Sequence, residues 1–306
     1  MQQLRATFAK STPYITIDYS KSKGDGVRGL FVTRNIPPRQ KFLTAFPLVA
    51  HQSQSSTSNL CSFCFRPKRI CPSNECVDQV IHSQNNRSRS RSRSHNRKQN
   101  SSNRNRNSKI FSSKSFIQTL SQTSNLPPPP KYSNFHHLVL KLAVRTMFEP
   151  PDSSGPALLT LQNLVFASNF REDIGEPPDE FHQLTSHLES LNLPSSYLTF
   201  DLYKKLMAIL HLNVFSFPNG GSALYSLPSF MNHDCSPNCS MSFQGAVMDI
   251  VSGENGIAAG EEISTCYDFS SSSACQLTRR KNLELNYGFS CRCNLCNNII
   301  DLATQN

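Results

Sequence analysis

Ser229-Phe230-Met231-Asn232-His233-Asp234-Cys235-Ser236-Pro237-Asn238-Cys239 and, 28 residues after Asp234, Glu262-Ile263-Ser264-Thr265-Cys266-Tyr267 are the stretches on which the reading of this chain turns. Taken alone, an Asn-His pair is usually a turn, and a tyrosine after Glu-Ile-Ser-Thr-Cys is usually a core residue ending a strand. The surroundings agree with strands and turns. From Val214 the pattern runs through GAVMDIVS (245–252) and GIAAGEEISTCY (256–267) to a triplet, Cys291, Cys293 and Cys296. Three thiols within six residues point to metal, and tetrahedral zinc takes four ligands.

Upstream, YITIDYS (14–20), GDGVRGLFVTRNIPP (24–38) and KFLTAFPLVA (41–50) read as short antiparallel strands around a glycine turn. A second cysteine group follows, Cys61, Cys64, Cys71 and Cys76. Residues 84–130 are Ser, Asn and Arg closing on four prolines, with nothing periodic to bury, which predicts a disordered insert. Beyond it, NFHHLVLKLAVRTMF (134–148), PALLTLQNLVF (156–166), DEFHQLTSHLESL (179–191) and SYLTFDLYKKLMAIL (196–210) carry apolar residues at helical spacing between Pro-containing breaks. No repeat of solenoid period is visible.

The chain has 306 residues, 37% of them hydrophobic, enough for a core diluted by something that is not core. Its net charge of +10 equals the ten Lys and Arg residues between Gln79 and Pro130, a stretch without Asp or Glu, so the remainder is close to neutral. Such a tract binds phosphates without sequence preference. Between Phe65 and Phe111 there is no aromatic residue to stack on a base, so a spacer is the stronger expectation and nucleic-acid binding the weaker. No apolar run is long enough to span a bilayer and the start lacks a secretory stretch, which predicts an intracellular protein, in nucleus or cytoplasm, with no membrane contact. There, eleven cysteines favour metal over disulfides. Cys239, Cys266 and Cys275 stand alone and read as packed thiols.

NHxCxPN followed by GEEI and a tyrosine resembles the two core motifs of SET-domain protein-lysine methyltransferases, and GDGVRGLF resembles their first motif. Arg279-Arg280 and Tyr287-Gly288-Phe289-Ser290-Cys291-Arg292-Cys293-Asn294-Leu295-Cys296 are similar to the family's post-SET segment. The order resembles the SMYD branch, in which a MYND zinc finger and a helical insert split the SET domain, in a fungal Set-type form. The resemblance implies an α+β fold with a SET core of short antiparallel strands. Its parts would be 1–58 (first part of the SET domain), 59–83 (partial finger), 84–131 (disordered insert), 132–212 (helical insert), 213–269 (rest of the SET core) and 270–306 (post-SET zinc segment).

The same resemblance implies S-adenosylmethionine as cofactor and the lysine of a protein, histone or other, as substrate, with chromatin or another protein as partner. Tyr267 would be the catalytic tyrosine, orienting polarised groups rather than stripping a proton, since a phenol is protonated at neutral pH. Asn232, His233, Arg28, Asn213, Ser229, Tyr267 and Phe289 would contact the cofactor, and Tyr287 would line the lysine channel. Gly26 and Gly29 would allow close backbone approach. Cys235 would join Cys291, Cys293 and Cys296 on a zinc. Cys61, Cys64, Cys71 and Cys76 could fully ligate one more zinc, with His82 as a candidate substitute, where a complete MYND finger holds two. Ten residues follow Cys296, so the peptide groove is expected to be open or completed by a partner. A silent scaffold that binds peptides through its zinc modules is the alternative. Joint retention of Tyr267, Asn232, His233 and the final aromatics favours the enzyme.

Overall fold

A computed structural model describes residues 2–9, 12–21, 23, 26–52, 119, 122–123, 135–149, 156–165, 177–218, 220–267 and 276–297. The first cysteine group, His82, Cys275 and the basic tract lie outside these. The elements are α1 (Gln2–Ala9), β1 (Ile15–Tyr19), β2 (Arg28–Val32), β3 (Lys41–Ala45), β4 (Pro47–Gln52), α2 (His136–Met147), α3 (Pro156–Asn163), α4 (Asp179–Ser190), α5 (Phe200–Asn213), β5 (Phe215–Phe217), β6 (Gly221–Tyr225), β7 (Asn232–His233), β8 (Cys239–Gln244), β9 (Val247–Ser252), β10 (Glu262–Thr265) and α6 (Gln276–Tyr287).

Among the described residues the strands form three small sheets, ordered β1-β2-β10-β7, β3-β9-β8 and β4-β6-β5. Each mixes strands from before and after the helices, so both ends of the chain build one core. Segment KFLTAFPLVA is split at Phe46, and its halves enter different sheets. β3 pairs with β9, and β4 pairs with β6, both antiparallel. Buried Tyr225 ties two of the sheets, its hydroxyl donating to the Ala246 carbonyl at 2.7 Å.

The four helical stretches read from periodicity are all present. α5 starts where Thr199 accepts from the Leu202 N–H, an N-cap of the expected kind. Two helices went unread. α1 has only Leu4 and Phe8 to bury, and α6 only Leu283, which is too little apolar periodicity to be seen. Among the described residues no helix is long and apolar enough to cross a membrane.

α2 is buried from His136 to Thr146, so its polar side chains must be satisfied inside the protein. Arg145 donates to the Leu48 carbonyl at 3.0 Å. Glu149 accepts the Ala157 and Leu158 N–H groups, both at 2.9 Å, and so caps α3. His136 lies 3.6 Å from the Glu180 carboxylate, which also accepts the Tyr203 hydroxyl at 2.9 Å.

Lys141 donates to the Ala50 carbonyl of β4 at 2.7 Å, and burial pushes its ammonium down to about 7. Between pH 7 and the ordinary lysine value the unfolded chain holds the extra proton, so this group makes stability rise with pH across that window. The full shift is worth roughly 5 kcal/mol. Lys141→Met is therefore expected to flatten the rise in urea-unfolding free energy between pH 7 and 10. It should also stabilise the protein at pH 7 by about 1–3 kcal/mol, once the lost hydrogen bond is counted. An unchanged pH slope would refute this. On the acid side, burial pushes His51 down to about 3 and the stacked His137 to about 4. Stability falls as pH drops from the ordinary imidazole value towards these.

Candidate active site and thiol cluster

β7 lies parallel to β10, with Ser264 opposite Asn232 and Thr265 opposite His233. Parallel strands leave a sheet in the same direction, so the residues just beyond them, Cys235 and Tyr267, emerge together. The Pro237-Asn238 turn is strapped to β10 from the side. The Asn238 amide donates to the Glu262 carbonyl at 2.8 Å and its oxygen accepts the Ser264 N–H at 2.9 Å. This lets a strand of only two residues hold its position.

Buried His233 accepts the Tyr267 N–H on Nδ1 at 3.1 Å. That bond assigns the proton of a neutral imidazole to Nε2, which lies 3.2 Å from the Cys235 sulfur. The Tyr267 hydroxyl donates to the Met231 carbonyl at 2.7 Å. Its ring is walled by Tyr287, His233 and Phe289, with centroids 4.9, 5.4 and 6.3 Å away. Burial, then Tyr287 and then Glu262 push the phenol above its ordinary value, so it stays protonated at neutral pH.

The wall belongs to a second, small core. Leu283 of α6 and Cys291, Cys293 and Cys296 are buried, and Cys235, Tyr267, Tyr287 and Phe289 pack against them. The sulfurs of Cys235, Cys291, Cys293 and Cys296 all lie within 4.8 Å of one another. Burial first, then the neighbouring thiols, push both Cys235 and Cys291 up to about 12. Burial raises Cys293 as well, but backbone hydrogen bonds from Cys235 and Cys296 outweigh it and hold that thiol below its ordinary value. Four sulfurs around one point fit a tetrahedral dication, and the all-thiol set suits zinc. The Gln276 side chain donates to the Cys296 carbonyl, fastening the start of α6 to the thiol loop.

Of the residues singled out in the sequence, Asn232, His233, Tyr267, Tyr287, Phe289, Cys235, Cys291, Cys293 and Cys296 come together. Arg28 joins them through its carbonyl, which accepts the Asn232 side-chain amide at 2.9 Å. The Arg28 guanidinium donates from Nη1 to the Asn163 carbonyl at 2.6 Å, while its buried Nε has no hydrogen-bond partner among the described residues. Asn213 donates to the Val165 and Ile209 carbonyls at 2.8 and 2.7 Å, so Arg28 and Asn213 both grip the end of α3. Ser229 donates to the Tyr225 carbonyl at 2.7 Å, a local bond that closes the turn before the motif. Sequence reasoning missed Ser20 and the role of Glu262. The second acidic residue of GEEI was the available signal, since a carboxylate in a strand between two others needs a reason.

Fold and site together define an α+β domain that builds its chemistry where two parallel strands end and seals it with a thiol cluster. The SET domain family matches residues 27–268, and the chain belongs to that family. It is similar to a SET and MYND domain-containing protein of Dictyostelium discoideum, 32% identical over 48% of this chain and 46% of that one. It is also similar to the histone-lysine N-methyltransferase SMYD3 of Mus musculus, 34% identical over 35% of this chain and 25% of that one. The histone-lysine N-methyltransferase ATXR4 of Arabidopsis thaliana is 24% identical over 93% of this chain and 86% of its own. The chain thus spans less than half the length of the first two relatives that it matches.

Proposed function

We propose that the protein transfers the methyl group of S-adenosylmethionine to a lysine side chain of a protein substrate. The observation that carries this reading is Tyr267. It is a neutral phenol fixed to the Met231 carbonyl and ringed by aromatics at the junction of β7 and β10, within a SET domain. The methyltransferase names of the SMYD3 and ATXR4 relatives support it.

When bound, the cofactor supplies a methyl group on a sulfonium, which passes to the lone pair of a neutral amine while the electrons of the broken C–S bond stay on sulfur. Alignment matters more than acid or base strength for such a displacement. Asn232, His233 and Arg28 are the residues that would hold the cofactor. The buried Arg28 Nε without an acceptor suits an anionic group such as its carboxylate. The faces of Tyr267, Tyr287 and Phe289 suit an alkyl-ammonium and an adenine. Tyr267 stays protonated and cannot be the base that strips the lysine, so the amine must arrive neutral or lose its proton to water.

The remaining assignments follow from this reading. With it go a post-SET segment at 270–306, a partial finger at 59–83, which lies outside the described residues, and work in the nucleus or cytoplasm on a lysine-bearing partner. The test is calorimetry with S-adenosylmethionine on zinc-loaded protein. Binding in the micromolar range is expected for the wild type, weakened at least about 10-fold by Asn232→Ala, alongside transfer of labelled methyl to lysine-containing protein. Well-folded protein that binds no cofactor would sink the enzyme and favour the silent scaffold.

A further inference from the structure

One carboxylate ties together all four strands of the sheet that carries the site. Glu262 of β10 accepts the Asn232 side-chain amide of β7 on Oε1 at 2.6 Å. Its other oxygen accepts the hydroxyl of Ser20, the residue after β1, at 2.7 Å. On β2, a β-carbon at position 29 would run into Glu262 Oε1, so Gly29 is the residue that leaves the carboxylate its place. The three motifs read separately in the sequence therefore meet at one acidic side chain.

The consequence falls on Asn232. Its amide nitrogen has two hydrogens, and both are spent, one on the Arg28 carbonyl at 2.9 Å and one on Glu262. An amide can turn over, exchanging donor for acceptor, but the carboxylate and the Arg28 carbonyl both accept only, and neither satisfies the reversed orientation. Of the two, the Glu262 side chain makes the shorter bond, 2.6 Å against 2.9 Å. Among the described residues Oδ1 receives no hydrogen bond. Asn232 is thereby presented to a ligand as an acceptor.

We propose that Glu262 is a positioning residue that locks Asn232 as a hydrogen-bond acceptor and so makes this point of the site select a ligand's ammonium group. The proposal rests on the reading of S-adenosylmethionine as cofactor, whose amino-acid end carries such a group. A glutamine at 262 is nearly isosteric but can turn an NH2 donor towards Asn232, so the reversed amide gains one partner and only the Arg28 carbonyl still opposes it.

The test is calorimetric binding of S-adenosylhomocysteine and of its analogue lacking the α-amino group, to wild type, Glu262→Gln and Ser20→Ala. Wild type is expected to prefer the amine-bearing ligand by at least about 10-fold. In Glu262→Gln that preference should fall by about 5-fold, the Arg28 carbonyl still holding part of the orientation, with affinity for the deaminated analogue unchanged. Ser20→Ala keeps the carboxylate but loosens it, and should reduce the preference about 3-fold. It also carries the test should the Gln variant fail to fold. Equal weakening of both ligands in the variants would assign Glu262 a merely structural role and overturn the proposal. So would a wild type that binds both ligands alike. A wild type that binds neither overturns the cofactor reading instead.

Discussion

Tyr267→Phe is expected to lower kcat for methyl transfer by about 10²–10³-fold while changing the affinity for S-adenosylmethionine by less than about 3-fold. The substitution removes one oxygen and keeps the ring. The packing against Tyr287, His233 and Phe289 at 4.9, 5.4 and 6.3 Å therefore survives, and so does the site's shape. What is lost is the hydroxyl held at 2.7 Å from the Met231 carbonyl. That bond costs a fold about 1 kcal/mol when removed, too little to unfold the domain. A preorganised dipole at the point where positive charge moves from sulfur to nitrogen acts mainly on the transition state, hence the split between kcat and binding. The phenol is pushed above its ordinary value, so the wild-type rate should rise with pH through deprotonation of the substrate amine, without a tyrosine titration below it. Single-turnover rates across pH 7 to 10 measure both. A variant that keeps more than a tenth of wild-type turnover would remove Tyr267 from the chemistry.

Much of this site was legible in the sequence because its residues are clustered by motif. Asn232, His233 and Cys235 lie within four positions, and Tyr287, Phe289 and the last three cysteines within ten. Spacing along the chain marked each cluster, and the resemblance to SET domains joined the two, with Cys235 as fourth ligand to the later three cysteines. Long-range choices were not legible. The pairing of β7 with β10 rests on two residues, below any periodicity that a pattern can reveal. Glu262 was visible as part of a motif, yet its partners Ser20 and Gly29 come from strands more than 200 residues away. Arg28 and Asn213 were read as cofactor contacts. That both hold the end of α3 could not be read, because backbone carbonyls carry no sequence signature. The buried polar side chains of α2 fell to the same blindness. His136, His137, Lys141 and Arg145 lie in the interior, where Lys141 and Arg145 donate to main-chain carbonyls of β4 and His136 lies against Glu180 and His187.

Loss of the metal should be as damaging as loss of the tyrosine, by a different route. Cys296→Ser, or extraction of zinc by a chelator, is expected to reduce methyl transfer more than about 100-fold while leaving the main core folded. Among the described residues the segment 276–297 buries little apolar surface besides the thiols and Leu283. α6 buries only Leu283, while Leu277 and Leu285 remain exposed, and the Gln276 bond to the Cys296 carbonyl lies within the segment, whereas the Tyr287 hydroxyl reaches the Tyr267 carbonyl across a long 3.4 Å. Four sulfurs within 4.8 Å of one another close a loop of 55 residues between Cys235 and Cys291, and structural zinc sites supply folding free energy of about 10 kcal/mol. Without the ion the segment should open locally, because few buried apolar contacts oppose it. Tyr287 and Phe289 would then leave Tyr267, and the wall of the site would be gone. Hydrogen exchange tests this directly: amides in 276–297 should lose protection while those pairing β8 with β9 keep theirs. Cys239→Ser is the control, since that thiol donates to the Ser264 carbonyl at 3.1 Å and lies outside the cluster. A serine there can make the same bond, so activity within about 3-fold of wild type is expected. If the chelated protein instead kept its activity and its exchange pattern, the four cysteines would be a packed thiol core, and zinc would have no part in holding the site together.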